Sequence, residues 1–262
     1  MPKLTNGVQT SYQLLLGDNC EIMRSMTSEI VDLVVTSPPY GELRKYGGDS
    51  WDFYGVAWNL KRILKPGGVI VWVVADQTVK GSESGDSFKQ ALHFKELGLN
   101  LHDTMIWHKP NAMPLNDRRY EPSYEYMFIF SKGSPKTYNP IKIESLHRGK
   151  TSYGIQIQAD GTRKQKNGNG KVYNTTKVIK NVWNYNVGIE KIKGGHPAIF
   201  PKQLAKDHIL SWSNPGELVL DPFSGSGTTV RAAIELSRNS IGIEVCKEYH
   251  LLAESLINAQ AN

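Results

Sequence analysis

Short runs of almost purely apolar, β-branched residues are the feature that most constrains the fold of this 262-residue chain. Ile30–Val35 and Val69–Ala75 show no alternation of polar and apolar positions, which predicts strands buried on both faces of a parallel sheet. Between them, Asp52–Leu64 places apolar side chains at helical spacing and is followed by the stop signal Lys65-Pro66-Gly67-Gly68. Strands that alternate with helices predict an α/β fold with a doubly wound, mostly parallel sheet.

The remaining periodic segments continue this alternation. Further strands are predicted at Tyr12–Leu16, Asp103–Trp107, Tyr126–Ser131, Leu218–Leu220 and Ser240–Glu244, and further helices at Phe88–Leu97, Pro201–Trp212, Val230–Leu236 and Tyr249–Ala259. Residues 133–195 differ, because they are rich in Gly, Lys, Asn, Thr and Tyr and have weak periodicity. The sequence therefore predicts two halves of one domain, 1–132 and 196–262, separated by an insertion, 133–195.

Charge also singles out this middle segment. Residues 132–193 contain 13 lysines and arginines against three acidic residues, which leaves 18 basic and 22 acidic residues in the rest of the chain. A local basic excess beside a mildly acidic body is typical of a surface that follows nucleic-acid phosphates, although a solvated loop has the same composition.

A glycine-rich turn follows the strand Leu218–Leu220. Its sequence is Asp221-Pro222-Phe223-Ser224-Gly225-Ser226-Gly227-Thr228-Thr229, and a helix is predicted directly after it. Strand, glycine turn and helix together are the build of a nucleotide-binding unit, because glycines let the backbone approach a ligand. Glu244, 19 residues after Gly225 at the end of the next strand, is suitably placed to bind ribose hydroxyls.

This turn has three other interpretations. A phosphate-binding P-loop is disfavoured because Thr228 and Thr229, not a lysine and a hydroxyl residue, follow Gly227. A nicotinamide or flavin dinucleotide site is weakened because Val230 stands where its third glycine would be. A tight strand-to-helix turn without a ligand is the remaining structural alternative.

The tetrapeptide Ser37-Pro38-Pro39-Tyr40 lies at the carboxyl end of another predicted buried strand, where open α/β sheets place their chemistry. Two prolines fix the backbone and remove two N–H donors, so the carbonyl oxygens there accept hydrogen bonds without competition. An amino group that faces these acceptors and the Ser37 hydroxyl would localise its lone pair for attack on an electrophilic methyl. Tyr40 would offer a flat face to a base extruded from a duplex.

Together the two motifs resemble the beta-class amino-methyltransferases of bacterial restriction-modification systems. The similarity extends to Arg62–Gly68, Glu125–Lys132 and His196–Pro201, and only 133–195 lacks a matching motif. The resemblance implies a seven-stranded Rossmann-like methyltransferase sheet, S-adenosyl-L-methionine as cofactor and a target-recognition role for 133–195. In the family's sheet, Tyr12–Leu16 lies beside Ser240–Glu244.

The resemblance also assigns roles to particular residues. It implies catalysis by the four residues of the Ser37-Pro38-Pro39-Tyr40 motif, with Asp221 facing the methionine end of the cofactor and Glu244 holding its ribose. Asp18 would lie near the adenine or methionine moiety, and Phe200-Pro201 would pack on the cofactor. The other implied cofactor-binding residues are Phe223, Ser224, Gly225, Ser226, Gly227 and Thr228.

Ser37 at the first motif position is the form that usually accompanies N4-cytosine methylation, so the predicted reaction is methylation of cytosine N4 in double-stranded DNA bound by 133–195. The alternatives are N6-adenine methylation, RNA or a protein amide as substrate, and a DNA-binding module without activity. Carbon-5 methylation is set aside because neither Cys20 nor Cys246 stands beside a proline.

The seven histidines show no ligand spacing, so no metal is predicted. Two cysteines, no long apolar run and no leader-like N-terminus favour an intracellular protein without membrane association. The resemblance implies a cytoplasmic protein of bacterial, archaeal or phage origin. It is expected to act as a monomer or homodimer, with a restriction endonuclease for the same site as a possible counterpart.

Overall fold

The computed structural model describes residues 3–5, 8–39, 51–112, 118–166, 170–188 and 200–261. The chain divides into two compact units, one made of Met1–Asn139 and Asn181–Asn262 and the other of Pro140–Lys180.

The described residues form sixteen strands and six helices. The strands are β1 (Lys3–Thr5), β2 (Val8–Thr10), β3 (Tyr12–Leu16), β4 (Val31–Thr36), β5 (Leu64–Val74), β6 (Thr78–Val79), β7 (Ser82–Glu83), β8 (Asn100–His108), β9 (Tyr124–Ser131), β10 (Lys142–Glu144), β11 (Ile155–Ile157), β12 (Arg163–Gln165), β13 (Thr176–Val178), β14 (Val182–Asn184), β15 (Leu218–Asp221) and β16 (Asn239–Glu244). The helices are α1 (Asn19–Ser25), α2 (Phe53–Ile63), α3 (Asp86–Glu96), α4 (Lys202–Trp212), α5 (Thr228–Glu235) and α6 (Lys247–Ala261).

One eight-stranded sheet organises the larger unit, with strand order β14-β8-β9-β5-β4-β15-β16-β3. Only β9 runs antiparallel to its neighbours, β5 and β8. The predicted doubly wound, mostly parallel α/β sheet is confirmed. The chain leaves β4 toward β5 but later returns to the other side of β4 with β15, so the topology reverses between β4 and β15.

Both faces of this sheet are covered by helices. Helices α1, α2 and α3 pack on one face, over a core that contains Val34, Trp72 and Phe130. Helices α4 and α5 pack on the other face, where His208 of α4 contacts Met127 of β9. Because both faces are buried there, the central strands β4 and β5 show the continuous apolar runs from which they were predicted.

The sheet differs from the predicted one in strand number. It has eight strands instead of seven, because β14 pairs parallel with β8 through Val182↔Ile106, Trp183↔Trp107 and Asn184↔His108. Trp183 is buried against the His208 ring, with 4.7 Å between ring centroids, which anchors this short strand to the main unit. A three-residue strand in a polar segment carries too little periodicity to be recognised in the sequence.

The insertion is also narrower than predicted. The separate unit spans Pro140–Lys180, whereas 133–139 and 181–188 belong to the main unit and 189–195 lie outside the described residues. The backbone explains the first boundary, because Gly67 N–H donates to Lys132 O at 2.7 Å and Lys136 N–H donates to Gly67 O at 2.9 Å. The same bonds extend β5 back to Leu64, through the predicted stop at 65–68.

The two termini of the main unit meet in the sheet. β3 pairs with β16 in parallel from Tyr12↔Ser240 to Leu16↔Glu244, as the resemblance implied. The amino-terminal strand thus completes the layer formed by the carboxyl-terminal residues. None of the described helices is long and apolar enough to cross a membrane.

The smaller unit contains two antiparallel pairs, β10 with β13 and β11 with β12. Every residue of these four strands is exposed. Pro140–Lys180 contains nine basic and two acidic residues, so these strands carry a strongly basic polar surface.

Gly242 in β16 allows the strand, α5 and the loop after β15 to approach closely. A Cβ at this position would lie 2.8 Å from Val230 Cγ2 and 3.0 Å from Ser224 Cβ. We expect Gly242→Ala to lower the free energy of unfolding by about 1–3 kcal/mol through overpacking, measured by urea denaturation. Gly154→Ala is the control, because the nearest atom to its added Cβ lies at 3.8 Å. Equal stability of the two variants would contradict this packing account.

Candidate active site

The carboxyl ends of four adjacent parallel strands, β4, β15, β16 and β3, lie along one edge of the sheet. The loops that follow them contain most of the residues singled out from the sequence. In open α/β sheets this edge, at the point where the strand order reverses, is where ligands bind.

A buried hydrogen bond joins the two principal motifs. Thr36 Oγ1 donates to Asp221 Oδ1 at 2.7 Å, and neither residue is more than 1% exposed. Thr36 immediately precedes the Ser-Pro-Pro segment, and Asp221 opens the glycine turn. Two segments 185 positions apart in the chain are therefore in direct contact.

The Asp221 carboxyl group holds both sides of this junction. Its Oδ1 also accepts a hydrogen bond from Phe223 N–H at 3.1 Å. Burial raises the pKa of Asp221 to about 6, although hydrogen bonds from Thr36, Thr229 and Phe223 N–H lower it in part. An acid with a pKa near 6 changes charge close to neutrality, and an adjacent cation would favour its ionised form.

Two glycines of the turn adopt left-handed backbone conformations. Gly225 and Gly227 have φ values of +50° and +77°, and Gly227 is the N-cap of α5. Such left-handed conformations favour glycine. Ser224 N–H donates to Ile243 O at 2.9 Å, so the turn is also held against β16.

Glu244 lies at the end of β16, facing this turn. Its Oε2 accepts a hydrogen bond from Gly225 N–H at 2.8 Å, and its Oε1 accepts one from Cys246 N–H at 2.9 Å. Burial raises the pKa of Glu244, while these backbone bonds oppose the shift. The carboxylate thus orders the turn and keeps unused lone pairs for hydroxyl donors.

Two buried hydroxyl groups in the turn region have no hydrogen-bond partner among the described residues, Ser224 Oγ and Thr228 Oγ1. Their side chains are 5% and 3% exposed, and Ser226 beside them is also buried. Buried polar atoms without partners are rare in folded proteins because they lose their hydration without compensation. Together with two carboxylates, this donor and acceptor set fits a polar ligand such as a nucleoside.

The loop after β3 approaches the same turn. Asn19 Nδ2 donates to Pro222 O at 3.0 Å in a buried contact, and Gly17 N–H donates to Glu244 O at 2.9 Å. Asp18 is exposed, and its side chain accepts a hydrogen bond from Glu21 N–H at 2.9 Å, which caps α1. The structure thus places Asp18 at the same sheet edge, and its cofactor role stays a prediction.

Aromatic rings surround the start of the glycine turn. The Phe223 ring lies edge-on to Trp51 at 4.9 Å between centroids, and Trp51 in turn lies 6.2 Å from Trp72 of β5. Phe223 is therefore fixed by aromatic packing on the face covered by α1, α2 and α3. The role of Phe223 in binding a cofactor stays a prediction.

The predicted catalytic segment directly follows β4. Pro38 is buried, and Ser37 and Pro39 are half-buried. Tyr40 lies outside the described residues, as does His196 of the His196–Pro201 motif. Phe200 and Pro201 lie at the start of α4, whose N-cap is Pro201.

Three residues that hold this site together were given no role in the sequence analysis. Thr36 and Asn19 make the contacts described above, and Thr229 Oγ1 donates to Val35 O at 3.2 Å. Each lies next to a residue that was singled out, so polar side chains at strand ends were the available signal. Among the described residues, no group of three or more His, Cys, Asp or Glu side chains is arranged to hold a metal ion.

Curated relatives cover most of the chain. The orphan methyltransferase M.BamHII of Bacillus amyloliquefaciens is 47% identical over 230 residues, which cover 84% of this chain and 85% of that protein. The Type II methyltransferase M.SmaI of Serratia marcescens is 30% identical over 289 residues, with 94% and 91% covered.

Solved structures share the fold. The PvuII DNA methyltransferase, which is named cytosine-N4-specific, aligns with a TM-score of 0.69 and 23% identity, covering 94% of this chain and 86% of its own. M1.HpyAVI, solved as a complex with S-adenosylmethionine, aligns with a TM-score of 0.66 and 24% identity, covering 94% and 99%.

A family described as DNA methylase, which comprises N6 and N4 methyltransferases, matches residues 31–255. This range includes the Ser-Pro-Pro segment, the glycine turn and Glu244, and the expected resemblance is confirmed. The chain therefore belongs to the N6/N4 DNA methylase family.

Proposed function

We propose that this DNA methyltransferase transfers a methyl group from S-adenosyl-L-methionine to the exocyclic N4 of cytosine in duplex DNA. The observation that carries the proposal is the buried Thr36–Asp221 hydrogen bond, which brings the Ser-Pro-Pro segment against the glycine turn. The Ser-Pro-Pro segment suits an amino group and the glycine turn suits a nucleoside. Methyl transfer from one ligand to the other requires that both segments face one site.

The cofactor pocket is assigned to the glycine turn and its two carboxylates. The unpartnered hydroxyls of Ser224 and Thr228 supply hydrogen-bonding groups, and Glu244 accepts hydrogen bonds from ribose hydroxyls. Asp221 faces the cationic methionine end, where ionisation of its carboxyl group stabilises the positive charge. S-adenosylmethionine, when bound, supplies the electrophilic methyl group.

The acceptor groups of Ser37 and Pro38 orient the amino group of the extruded base. These oxygen atoms draw the N–H bonds of the amino group out of the ring plane. The nitrogen lone pair then loses its conjugation with the ring and is localised for attack on the methyl group. Proline at two successive positions holds these acceptors rigid, which limits the reorganisation needed during transfer. Tyr40 is proposed to stack on the base.

Two observations favour cytosine over adenine. Ser37 occupies the first motif position, as is usual in the N4-cytosine enzymes that the motif resembles, and the PvuII enzyme that shares the fold is named cytosine-N4-specific. N6-adenine methylation remains the alternative because the family comprises both reactions.

Duplex DNA is proposed to bind the basic unit Pro140–Lys180, whose four strands are exposed throughout. Nine basic side chains there match a phosphate backbone, and polar side chains on open strands can reach base edges. A modification methyltransferase of this kind would act on DNA in the bacterial cytoplasm, alone or alongside an endonuclease for the same site.

Ser37→Ala is expected to lower the single-turnover methylation rate by about 10- to 100-fold, the equivalent of one hydrogen bond of about 1.5–3 kcal/mol. The dissociation constant for S-adenosylhomocysteine, measured by calorimetry, should stay within about twofold of the original value because the acceptor acts on the base. Ser25→Ala, on an exposed hydroxyl that bonds only Ile22 O locally, is the control. An unchanged rate in Ser37→Ala would rule out the proposed role.

The Asp221 pKa gives a second prediction. Since the folded-state pKa lies near 6, above its ordinary value of 3.8, ionisation of Asp221 disfavours the ligand-free fold, and this group's stabilising contribution is lost as pH rises from about 4 through 6. A bound cation should reverse that cost, so calorimetry without DNA should show S-adenosyl-L-methionine binding about tenfold tighter at pH 7 than at pH 5.

Asp221→Asn supplies the comparison for this pH dependence. The variant should bind the ligand weakly at both pH values, because its amide cannot ionise. The same pH dependence in Asp221→Asn and in the unmodified protein would mean that another group is responsible.

The modified base and its sequence context can be read together by sequencing methylation in bacterial DNA after expression of this chain, with the Ser37→Ala protein as control. We expect N4-methylcytosine within one short site. N6-methyladenine would overturn the cytosine assignment and keep the family reaction, whereas methylation of RNA alone would overturn DNA as the substrate.

A further inference from the structure

A largely buried ion pair lies at the same edge of the sheet as the Ser-Pro-Pro segment. Glu125 opens the Glu125–Lys132 motif, which has no role so far, and Lys109 lies outside the motifs. Lys109 Nζ and Glu125 Oε1 are 2.6 Å apart, and their side chains are only 17% and 9% exposed. The ammonium group also lies 5.1 Å from the centroid of the Trp107 ring. Lys109 N–H donates to Ser123 O at 2.7 Å, so the backbone is fixed as well.

A second ion pair of the sheet offers a contrast. Lys65 and Asp32 are 2.8 Å apart near the opposite end of β4, and the Lys65 side chain is 40% exposed. Asp32 also accepts a hydrogen bond from Leu218 N–H at 2.9 Å, which ties it to the start of β15. Lys109 is much more buried, and burial of a lysine charge is costly unless it is compensated by a partner or a function.

Strand register relates this pair to the active site. Thr36 of β4 is level with Trp72 of β5, which is level with Phe128 of β9. Glu125 lies three residues beyond Phe128 toward the carboxyl edge of β4, as does Pro39 beyond Thr36. β4 and β9 are separated by two strand spacings, about 10 Å.

This gap suits the Watson–Crick edge of a single base together with one long side chain. In cytosine and in adenine, the amino group is flanked by a ring nitrogen that accepts a hydrogen bond. The acceptor for the amino group and the donor to the ring nitrogen therefore stand side by side, roughly 3–6 Å apart. The acceptors at Ser37 and Pro38 serve the amino group, and the ring nitrogen needs a donor beside them, on a side chain long enough to reach in from the β9 side of the gap.

Lysine is suited to that position because its ammonium group offers three N–H donors and no acceptor. Glu125 takes one of them and fixes the direction of the others. We propose that Lys109, oriented by Glu125, donates a hydrogen bond to the ring nitrogen beside the target amino group and thereby helps to select the base. This inference rests on the proposed function and applies to cytosine N3 or adenine N1 alike.

The experiment combines protein variants with a modified target base. Duplexes carry either the natural target or its deaza analogue, 3-deazacytosine or, if adenine is methylated, 1-deazaadenine, in which the ring nitrogen is replaced by carbon. Single-turnover rates are measured for the unmodified protein, Lys109→Met and Lys109→Arg. Lys65→Met is the matched control, since it breaks the other sheet ion pair.

The proposal predicts a specific pattern of rates. Loss of either the ring nitrogen or the Lys109 ammonium should slow methylation by about 10- to 100-fold, because an ionic donor is lost from a base contact. Loss of both should cost little more than loss of one. Lys109→Arg should restore part of the rate difference between the natural and the deaza target. Lys65→Met should show the same rate difference as the unmodified protein.

If Lys109→Met shows the same ratio of rates on natural and deaza targets as the unmodified protein, the proposed contact is wrong. The ion pair would then have a purely structural role. Should Lys109→Met fail to fold, the double variant Lys109→Met with Glu125→Leu, which removes the donor without leaving a buried charge unpaired, replaces it in the same comparison. Absence of methylation on natural DNA by the unmodified protein would instead count against the proposed function, so the two failures are distinguishable.

Discussion

The site depends on one constraint, the parallel pairing of β4 with β15 at the point where the sheet topology reverses. Pairing of Leu33 with Val219 and Val34 with Leu220 brings Thr36 within hydrogen-bond distance of Asp221. Every proposed function of the Ser-Pro-Pro segment needs this contact, because an acceptor cluster has no use unless a methyl donor lies beside it. The proposed reaction centre therefore depends on the strand order as well as on the two motifs.

Burial gives this junction its chemical character. Asp221 and Glu244 both lie in the interior, and burial raises the pKa of each, against backbone and side-chain hydrogen bonds that favour their ionised forms. The hydroxyls of Ser224 and Thr228 are buried beside them without partners among the described residues. Such an arrangement is costly in the absence of a ligand, so part of the stability of this edge is expected to come from binding.

How far the sequence predicts the structure differs between its parts. The strand at Val31–Thr36 and the helix after Asp52 followed from local patterns, because burial on both faces and helical spacing each leave a residue signature. The eighth strand and the limits of the insertion did not. Val182–Asn184 belongs to the sheet because Trp183 packs against His208, a contact between segments 25 positions apart that no local pattern encodes.

By itself the sequence determined the α/β class, the family and the residue types of the site, since these depend on periodicity and on short motifs with specific backbone requirements. Only the tertiary structure decided that Thr36 and Asn19 hold the motifs together and that Lys109 and Glu125 form a largely buried pair at the same edge. The physical reason is that these contacts join residues whose proximity is set by strand order and register. Those are fixed by the packing of the whole sheet and not by the neighbours of any one residue in the chain.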